Sequence, residues 1–308
     1  MPLPETMALP KILLLGKNGQ LGWELQRSLS VLGEVVALDR HGLHGWSGDL
    51  SQPSELVQTV QQIQPQVIVN AAAYTAVDRA ESEPDVAHAI NAQAPEILAQ
   101  EAQKLGAWLV HFSTDYVFNG SGQSPWNETD ACAPLSVYGQ TKWQGEQAVA
   151  VSGCRHLMFR TSWVYSARGG NFAKTMLKLA QERDVLRVID DQIGAPTGAD
   201  LLADATAHAL AKVLEPGSES SGTYHLAAAG ETSWHGYAQF VLTQAKALGV
   251  SLKVQPEDVQ AITTSAYPTP AHRPLNSRLD TRKIQDTFGL TLPHWTLGVA
   301  RMLEETQT

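Results

Sequence analysis

Short apolar runs that end in glycine or small polar residues recur along the chain, separated by longer stretches with helical spacing. Residues 11–16, Lys-Ile-Leu-Leu-Leu-Gly, have the profile of a parallel strand buried on both faces. A helical pattern follows over 23–32, and 34–39 reads as a second strand. Residues 67–73 predict a third strand, 86–105 a helix with Asn91 on its surface, and 107–115 a fourth strand. A helix opens near Tyr138, a strand occupies 156–165, and after Gly169-Gly170 a helix begins near Asn171. Residues 185–189 form a strand, Thr197 or Asp200 caps a helix through about 214, and 223–227 is one more strand. Helices over 233–248, 280–288 and 296–305 complete the pattern, and 215–222 reads as a flexible connection. Strands alternating with helices predict an α/β fold, a Rossmann-type doubly wound parallel sheet with a smaller α/β substrate-binding domain. The chain is expected to cross between the two, residues 1–165 and 197–214 forming the first and 166–196 and 222–308 the second.

Composition narrows the function. The 308 residues are 43% hydrophobic and 17% charged, an ordinary globular balance. A formal charge of −9 with no basic run argues against nucleic acid as a partner. An anionic ligand must then be held locally, by a few cations and helix N-termini. Cys132 and Cys154 make neither a metal motif nor a disulfide framework, which suits a reducing cytoplasm. No apolar run approaches the roughly 20 residues of a membrane span. The opening Met-Pro-Leu-Pro-Glu-Thr-Met-Ala-Leu-Pro lacks the features of a signal peptide and reads as a frayed extension, with Met7 a candidate alternative start.

Candidate chemistry begins at Gly16-Lys-Asn-Gly19-Gln-Leu-Gly22, directly after the first strand and opening the first helix. That arrangement presents backbone N–H groups and a helix N-terminus to a pyrophosphate, although the spacing is G-x-x-G-x-x-G rather than G-x-G-x-x-G. Asp39, ending the second strand, is placed to hold the adenosine ribose of NAD, while Arg40 beside it could meet the 2′-phosphate of NADP. Both cofactors are expected to bind. Asp49 and Leu50 are candidates for the adenine side, and Ala73, Tyr74 and Thr75 for the rest of the cofactor. Ser113-Thr114-Asp115 puts hydroxyls and a carboxylate at a strand end, where ligands of open α/β sheets sit; the same group could cap the next turn. The loop over 118–135 is long enough to act as a lid or binding segment. Tyr138 and Lys142 stand four apart, on one helix face. There the ammonium would favour the phenolate and bring the phenol into use near neutral pH. Trp163 is a candidate to stack on a sugar or base, with core packing the alternative. The turn over 190–197 suits a ligand wall. Arg273 and Arg278, in a proline-stiffened stretch, are candidates for phosphate or plain surface charges.

Taken together, Gly16-x-x-Gly19-x-x-Gly22, Asp39, Ser113-Thr114-Asp115 and Tyr138-x-x-x-Lys142 resemble an extended short-chain dehydrogenase/reductase. Asn-Ala-Ala-Ala-Tyr-Thr-Ala-Val-Asp, Ser-Thr-Asp-Tyr-Val-Phe, Asp-Gln-Ile-Gly-Ala-Pro-Thr-Gly and Arg-Pro-Leu-Asn-Ser-Arg-Leu narrow the likeness to the dTDP-4-dehydrorhamnose reductases. The resemblance implies NADPH- or NADH-dependent reduction of dTDP-4-dehydro-β-L-rhamnose at C4, the last step of dTDP-L-rhamnose synthesis for polysaccharides. It implies Gly19, Gln20 and Leu21 at the pyrophosphate, with Thr114, Asp115 and Trp163 around the sugar. It also brings the expectation of a homodimer contact at which Glu24, Asp200 and Glu305 hold Mg2+, although Asp200 is shorter than the glutamate usual there. Tyr138 would be the general acid, Lys142 its tuner and Thr114 a hydrogen-bond donor to the nascent oxyanion. The rivals are a nucleotide-sugar epimerase or dehydratase and a non-catalytic dinucleotide-binding regulatory subunit. Dehydratases of this kind carry Thr-Asp-Glu, and Tyr116 occupies the third position here.

Overall fold

Six strands run parallel in one sheet: β1 (Lys11–Leu15), β2 (Glu34–Leu38), β3 (Val67–Asn70), β4 (Trp108–Thr114), β5 (Arg155–Thr161) and β6 (Gly222–His225). Their order is β6-β5-β4-β3-β1-β2. The computed structural model describes residues 9–217 and 220–307. Residues 1–8 of the predicted extension, Met7 among them, and Ser218 and Glu219 of the predicted connection lie outside these.

Alternation within the strands builds two layers on the sheet. Ile12 and Leu14 of β1 face a core shared with Leu21 and Leu25 of α1 (Gln20–Leu29). Leu13 and Leu15 face the opposite one, with Leu56 and Val60 of α2 (Pro53–Ile63) and Leu98 of α3 (Ala94–Leu105). All four of these β1 side chains are wholly buried, which is why β1 reads as an unbroken apolar run. The catalytic candidates sit on α4 (Val137–Val151), also packed on α3. From β1 the chain goes to β2 on one side and later to β3 on the other, so a crevice opens beyond the carboxyl ends of β1 and β3.

The later segments make further cores. Helices α5 (Phe172–Glu182), α7 (Trp234–Ala247) and α8 (Trp295–Gln307) gather around Tyr165, Tyr237, Val241 and Trp295. A parallel pair, Arg187–Ile189 with Gln260–Ile262, extends this part of the molecule. Helix α6 (Ala199–Val213) instead packs on α1, sharing its core through Leu202 and Leu210. No helix among the described residues is long and apolar enough to cross a membrane.

Several local expectations change. The strand expected over 156–165 stops at Thr161, and Trp163 adopts a left-handed φ of +48°, so Val164–Tyr165 turns away to pair with Thr197–Gly198. The expected 86–105 helix is two helices, Pro84–His88 and α3, joined by a wide π-turn at Ala89–Gln93. Asn91 in that turn is not a surface group. It is 1% exposed, accepts from Tyr74 N and donates to Tyr74 O and Thr141 Oγ1. Neither Thr197 nor Asp200 caps α6, because Gly198 holds the cap position and the Thr197 hydroxyl is committed to Ala195 O and Ala228 N. The 118–135 loop is clasped to the later chain: Trp126 Nε1 donates to Asn276 O, and Asn276 Nδ2 to Ser124 O.

Candidate active site

The glycine turn is shaped by close approach. Gly16 has φ +88°, and a Cβ there would stand 2.8 Å from Ala72 N. At Gly22 a Cβ would meet Gly16 O at 2.0 Å, so the helix seats directly on the turn. Gly19 occupies the N-cap of α1 without a side-chain hydrogen bond, leaving the first-turn N–H groups uncapped by side chains. This cradle has the donor set a pyrophosphate requires. Gln20 Oε1 accepts from Asn171 Nδ2 at 3.5 Å, while the Leu21 side chain enters the core.

Beyond β2, Asp39 accepts from Asn18 Nδ2 at 2.6 Å and His41 N at 2.9 Å, with Lys17 Nζ 3.7 Å away. The upward push of burial on its carboxyl is outweighed by His41 N, Lys17 and Asn18, and it sits below its ordinary value. Arg40 is exposed. Asp49 accepts from Ser51 N and Oγ at the turn before α2, and Leu50 packs beneath that helix. Ala73 and Tyr74 are half-buried after β3, and Thr75 is exposed. The Tyr74 hydroxyl donates to Glu83 at 2.5 Å.

Helix α4 starts where Ser136, in extended backbone, accepts from Gly139 N at 3.2 Å. Gly139 lies against the turn after β4, and a Cβ there would be 2.3 Å from Tyr116 O. Tyr138, in the same turn, is hydrogen-bonded to the Thr114 side chain and packs edge-on against Tyr116, ring centroids 5.5 Å apart. Burial pushes the phenol up to about 12; Thr114 opposes this and the Asp115 carboxylate adds to it. The expected lowering by Lys142 is absent, because the amine is engaged elsewhere. Lys142 Nζ donates to Phe112 O at 2.5 Å and lies 3.3 Å from His111 Nε2. Burial pulls the ammonium down to about 8, against the pull of Glu146. The phenol therefore stays protonated at neutral pH, the state a proton donor needs.

Thr114 Oγ1 also donates to Asp115 Oδ1 at 3.1 Å. Asp115 is 2% exposed, and burial raises its carboxyl to about 6, with Ser277 and Thr114 holding it back. Its Oδ2, Ser113 Oγ and Thr161 Oγ1 are buried with no partner among the described residues, a cluster of unanswered polar atoms at the ends of β4 and β5. Beside them Trp163 stacks on Trp234, centroids 3.7 Å apart. Trp234 walls a cavity of about 1000 Å³ with Phe172, Arg187, Gln192, Tyr267 and Arg273. Arg273 faces this cavity while bonded to Asp78 at 2.8 Å. Arg278 does not line it and is spent on Glu231 and Asn276. Trp234, Ser277 and Asn91 were not singled out from sequence as ligand contacts; each gains its place from a partner far along the chain.

Glu24, Asp200 and Glu305 do line one small cavity, together with Arg27 and Arg301. Burial raises the Glu24 carboxyl, Arg27 opposes, and Asp200 and Glu305 add to the rise. Arg301 Nε donates to Glu305 at 3.0 Å, its other nitrogen is 3.8 Å from Asp200, and Arg27 is 3.8 Å from Glu24. Among the described residues no group of three His, Cys, Asp or Glu side chains is placed to hold a metal ion. The magnesium expectation does not fit this arrangement, since guanidinium groups already answer the carboxylates.

Similarity to known proteins is extensive. A family model described as RmlD substrate binding domain matches residues 10–308. A protein of Shigella flexneri named dTDP-4-dehydrorhamnose reductase is 56% identical over 294 residues, 96% of this chain and 97% of its own. Its namesake from Escherichia coli K12 is 55% identical with the same coverage. The solved dTDP-4-dehydrorhamnose reductase of Clostridium acetobutylicum superposes with a TM-score of 0.85 at 34% identity, covering 97% of this chain and 100% of that one. That of Bacillus anthracis, in complex with NADP, gives 0.84 at 33% identity, covering 96% and 99%.

Proposed function

The chain belongs to the RmlD substrate binding domain family, that of the dTDP-4-dehydrorhamnose reductases, and from that premise we propose how its residues carry the reaction. It reduces the C4 keto group of dTDP-4-dehydro-β-L-rhamnose to dTDP-L-rhamnose with a nicotinamide cofactor. The reduced nicotinamide, when bound, is the source of hydride for C4. Tyr138 gives its proton to the former carbonyl oxygen, a contribution typically about 10²–10⁴-fold. Thr114 keeps the phenol in line, and its one hydroxyl proton would turn from Asp115 to the oxygen where charge develops. Lys142 supplies positive charge beneath the site rather than a direct bond to the phenol. The observation that carries this reading is the line Tyr138–Thr114–Asp115 at the carboxyl ends of the strands, where the glycine cradle also lies.

Gly16, Gly19, Gln20 and the Leu21 backbone would hold the pyrophosphate, Asp39 the ribose, Asp49 and Leu50 the adenine side, and Ala73, Tyr74 and Thr75 the remainder. With Asp39 already partnered by Asn18 and near Lys17, its charge is partly answered, so NADPH as well as NADH is accepted. Arg40 stands next to it for a 2′-phosphate. Residues 9–165 with 197–214 then form the cofactor domain, joined by β6 (Gly222–His225), which pairs with β5 in its sheet, and by Ile284, Phe288 and Leu292 in its core. The expected 222–308 boundary shifts accordingly, and 166–196 with the rest of the chain after 225 form the substrate domain. The cavity behind Trp234 takes the nucleotide, with Arg187 and Arg273 for its diphosphate and Trp163 beside the sugar. A cytoplasmic homodimer completes the reading; magnesium has no step in it.

A single assay tests it. Protein, NADPH and the keto-sugar nucleotide are mixed, and the absorbance of the reduced nicotinamide is followed. Stoichiometric loss supports the reductase. Turnover without added cofactor would indicate an epimerase, and no turnover a regulatory subunit. A dehydratase is disfavoured by Tyr116, whose phenol is pushed up by burial and offers no carboxylate base.

A further inference from the structure

One buried titratable group beneath the site is unused by this mechanism. His111 on β4 is 1% exposed, its Nε2 3.3 Å from Lys142 Nζ and its Nδ1 3.3 Å from Asn70 Nδ2. Asn70 ends β3 and is likewise 1% exposed. The orientation of its amide is fixed by a group that cannot reverse: Asn70 Oδ1 accepts from the backbone N–H of Ala72 at 3.2 Å. The amide nitrogen must then face the imidazole, which makes Nδ1 an acceptor and leaves the ring proton on Nε2. That N–H points at the lysine nitrogen. We propose that His111 is a positioning residue for Lys142, held by Asn70 with its proton on Nε2, and that it sets how readily the buried amine gives up its proton.

The consequence follows from donor counting. A neutral Lys142 can donate to Phe112 O and accept from His111, leaving both nitrogens satisfied. An ammonium in the same place donates to Phe112 O but meets His111 donor to donor. The pairing therefore favours the neutral amine and adds to the effect of burial. Other charges face the amine too. Glu146, one turn further along α4, favours the ammonium but is itself paired with Arg160 of β5 at 2.6 Å. Tyr138 lies one turn before, and Asp115 bears on Tyr138. His156, at the start of β5, opposes a charge on His111, and burial together with Lys142 keeps that imidazole neutral. Of these groups His111 alone touches the lysine nitrogen through a side chain, among the described residues. Lys142 becomes an amine that titrates where the enzyme works instead of a fixed cation.

The inference rests on Lys142 belonging to the catalytic set, and two readouts keep the two claims apart. In protein carrying 13C-labelled lysine, the Lys142 Cε shift, assigned by its loss in Lys142→Met, is titrated with pH. The kcat–pH profile with NADPH and the keto-sugar nucleotide is measured alongside. His111→Gln offers the amine a carbonyl oxygen in place of the N–H. Asn70→Asp gives the imidazole an acceptor at Nδ1 and so moves its proton away from Nε2. Each should raise the Lys142 midpoint by about one unit, the worth of one exchanged hydrogen bond, and carry the alkaline limb of kcat with it. A midpoint unmoved or lowered in whichever of the two variants keeps the native unfolding transition overturns the inference. Full turnover in Lys142→Met would instead overturn the role of Lys142 in catalysis, and the titration would still decide the role of His111.

Discussion

The seat of the catalytic helix gives a sharp test, through Gly139→Ala. A Cβ at this position would lie 2.3 Å from Tyr116 O and 3.1 Å from Pro134 Cβ. The oxygen belongs to the backbone of the turn after β4, so no side-chain rotation relieves the clash. Ordinary contact requires the two segments to part by about 1 Å. Overpacking of this kind costs about 1–3 kcal/mol, and alanine returns about 1 kcal/mol of helix propensity. The net loss of stability is therefore about 0–2 kcal/mol, a fall of a few degrees in Tm at most. Catalysis is more exposed. Tyr138 is the preceding residue, its partner Thr114 lies on the other side of the parted contact, and a misplacement of about 1 Å costs on the order of 100-fold in rate. The measurement is kcat by nicotinamide absorbance beside Tm and the Kd for NADPH. Gly170→Ala is the control, since nothing among the described residues lies within 4 Å of a Cβ there and its backbone is not left-handed. The reasoning fails if Gly139→Ala keeps kcat to within about threefold of the native protein, or if it loses cofactor affinity as steeply as turnover.

Tyr138→Phe removes the proton donor and is expected to cut kcat by about 10²–10⁴-fold while the Kd for NADPH holds; native turnover in that protein removes Tyr138 from the role. Asp115→Asn probes a buried carboxyl raised from 3.8 to about 6. Well below 3.8 the acid is neutral in folded and unfolded chains alike, and its stability is fully present. As pH rises from about 4 to about 6 the unfolded chain ionises while the folded protein resists, and up to about 3 kcal/mol is lost before the loss levels off. The Tm of the native protein should thus fall relative to Asp115→Asn between pH 4 and 7, and a gap that stays constant across that range would count against the shift. Lys17→Gln leaves Asp39 less answered, so KM for NADPH should rise by about fivefold more than KM for NADH. Equal changes for the two cofactors would remove Lys17 from any part in the choice.

What the sequence discloses about this protein is what short spacing encodes, and what it withholds is set by contacts across tens or hundreds of residues. The strands of the sheet are legible because β1, β3 and β4 are buried runs, and the pairing of Tyr138 with Lys142 because four residues along a helix make one face. The charge relation between those two side chains is not local. It depends on Phe112 O and His111 on another element, which engage the amine away from the phenol, so that burial sets the direction of the tyrosine shift. Asn91 looks like a surface amide in a helical pattern, and one wide turn rotates it inward to brace Tyr74 and Thr141. Trp163 sits in a run that reads as a continuous strand, yet a left-handed residue breaks that strand and stacks its ring on Trp234, supplied from 71 positions away. Glu24, Asp200 and Glu305, which the resemblance put together, line one cavity, but Arg27 and Arg301 line it with them and change what three carboxylates mean. Identity and spacing thus nominate the chemical groups. Protonation, aim and counter-charge, which decide what those groups can do, come from the partners that folding brings to them.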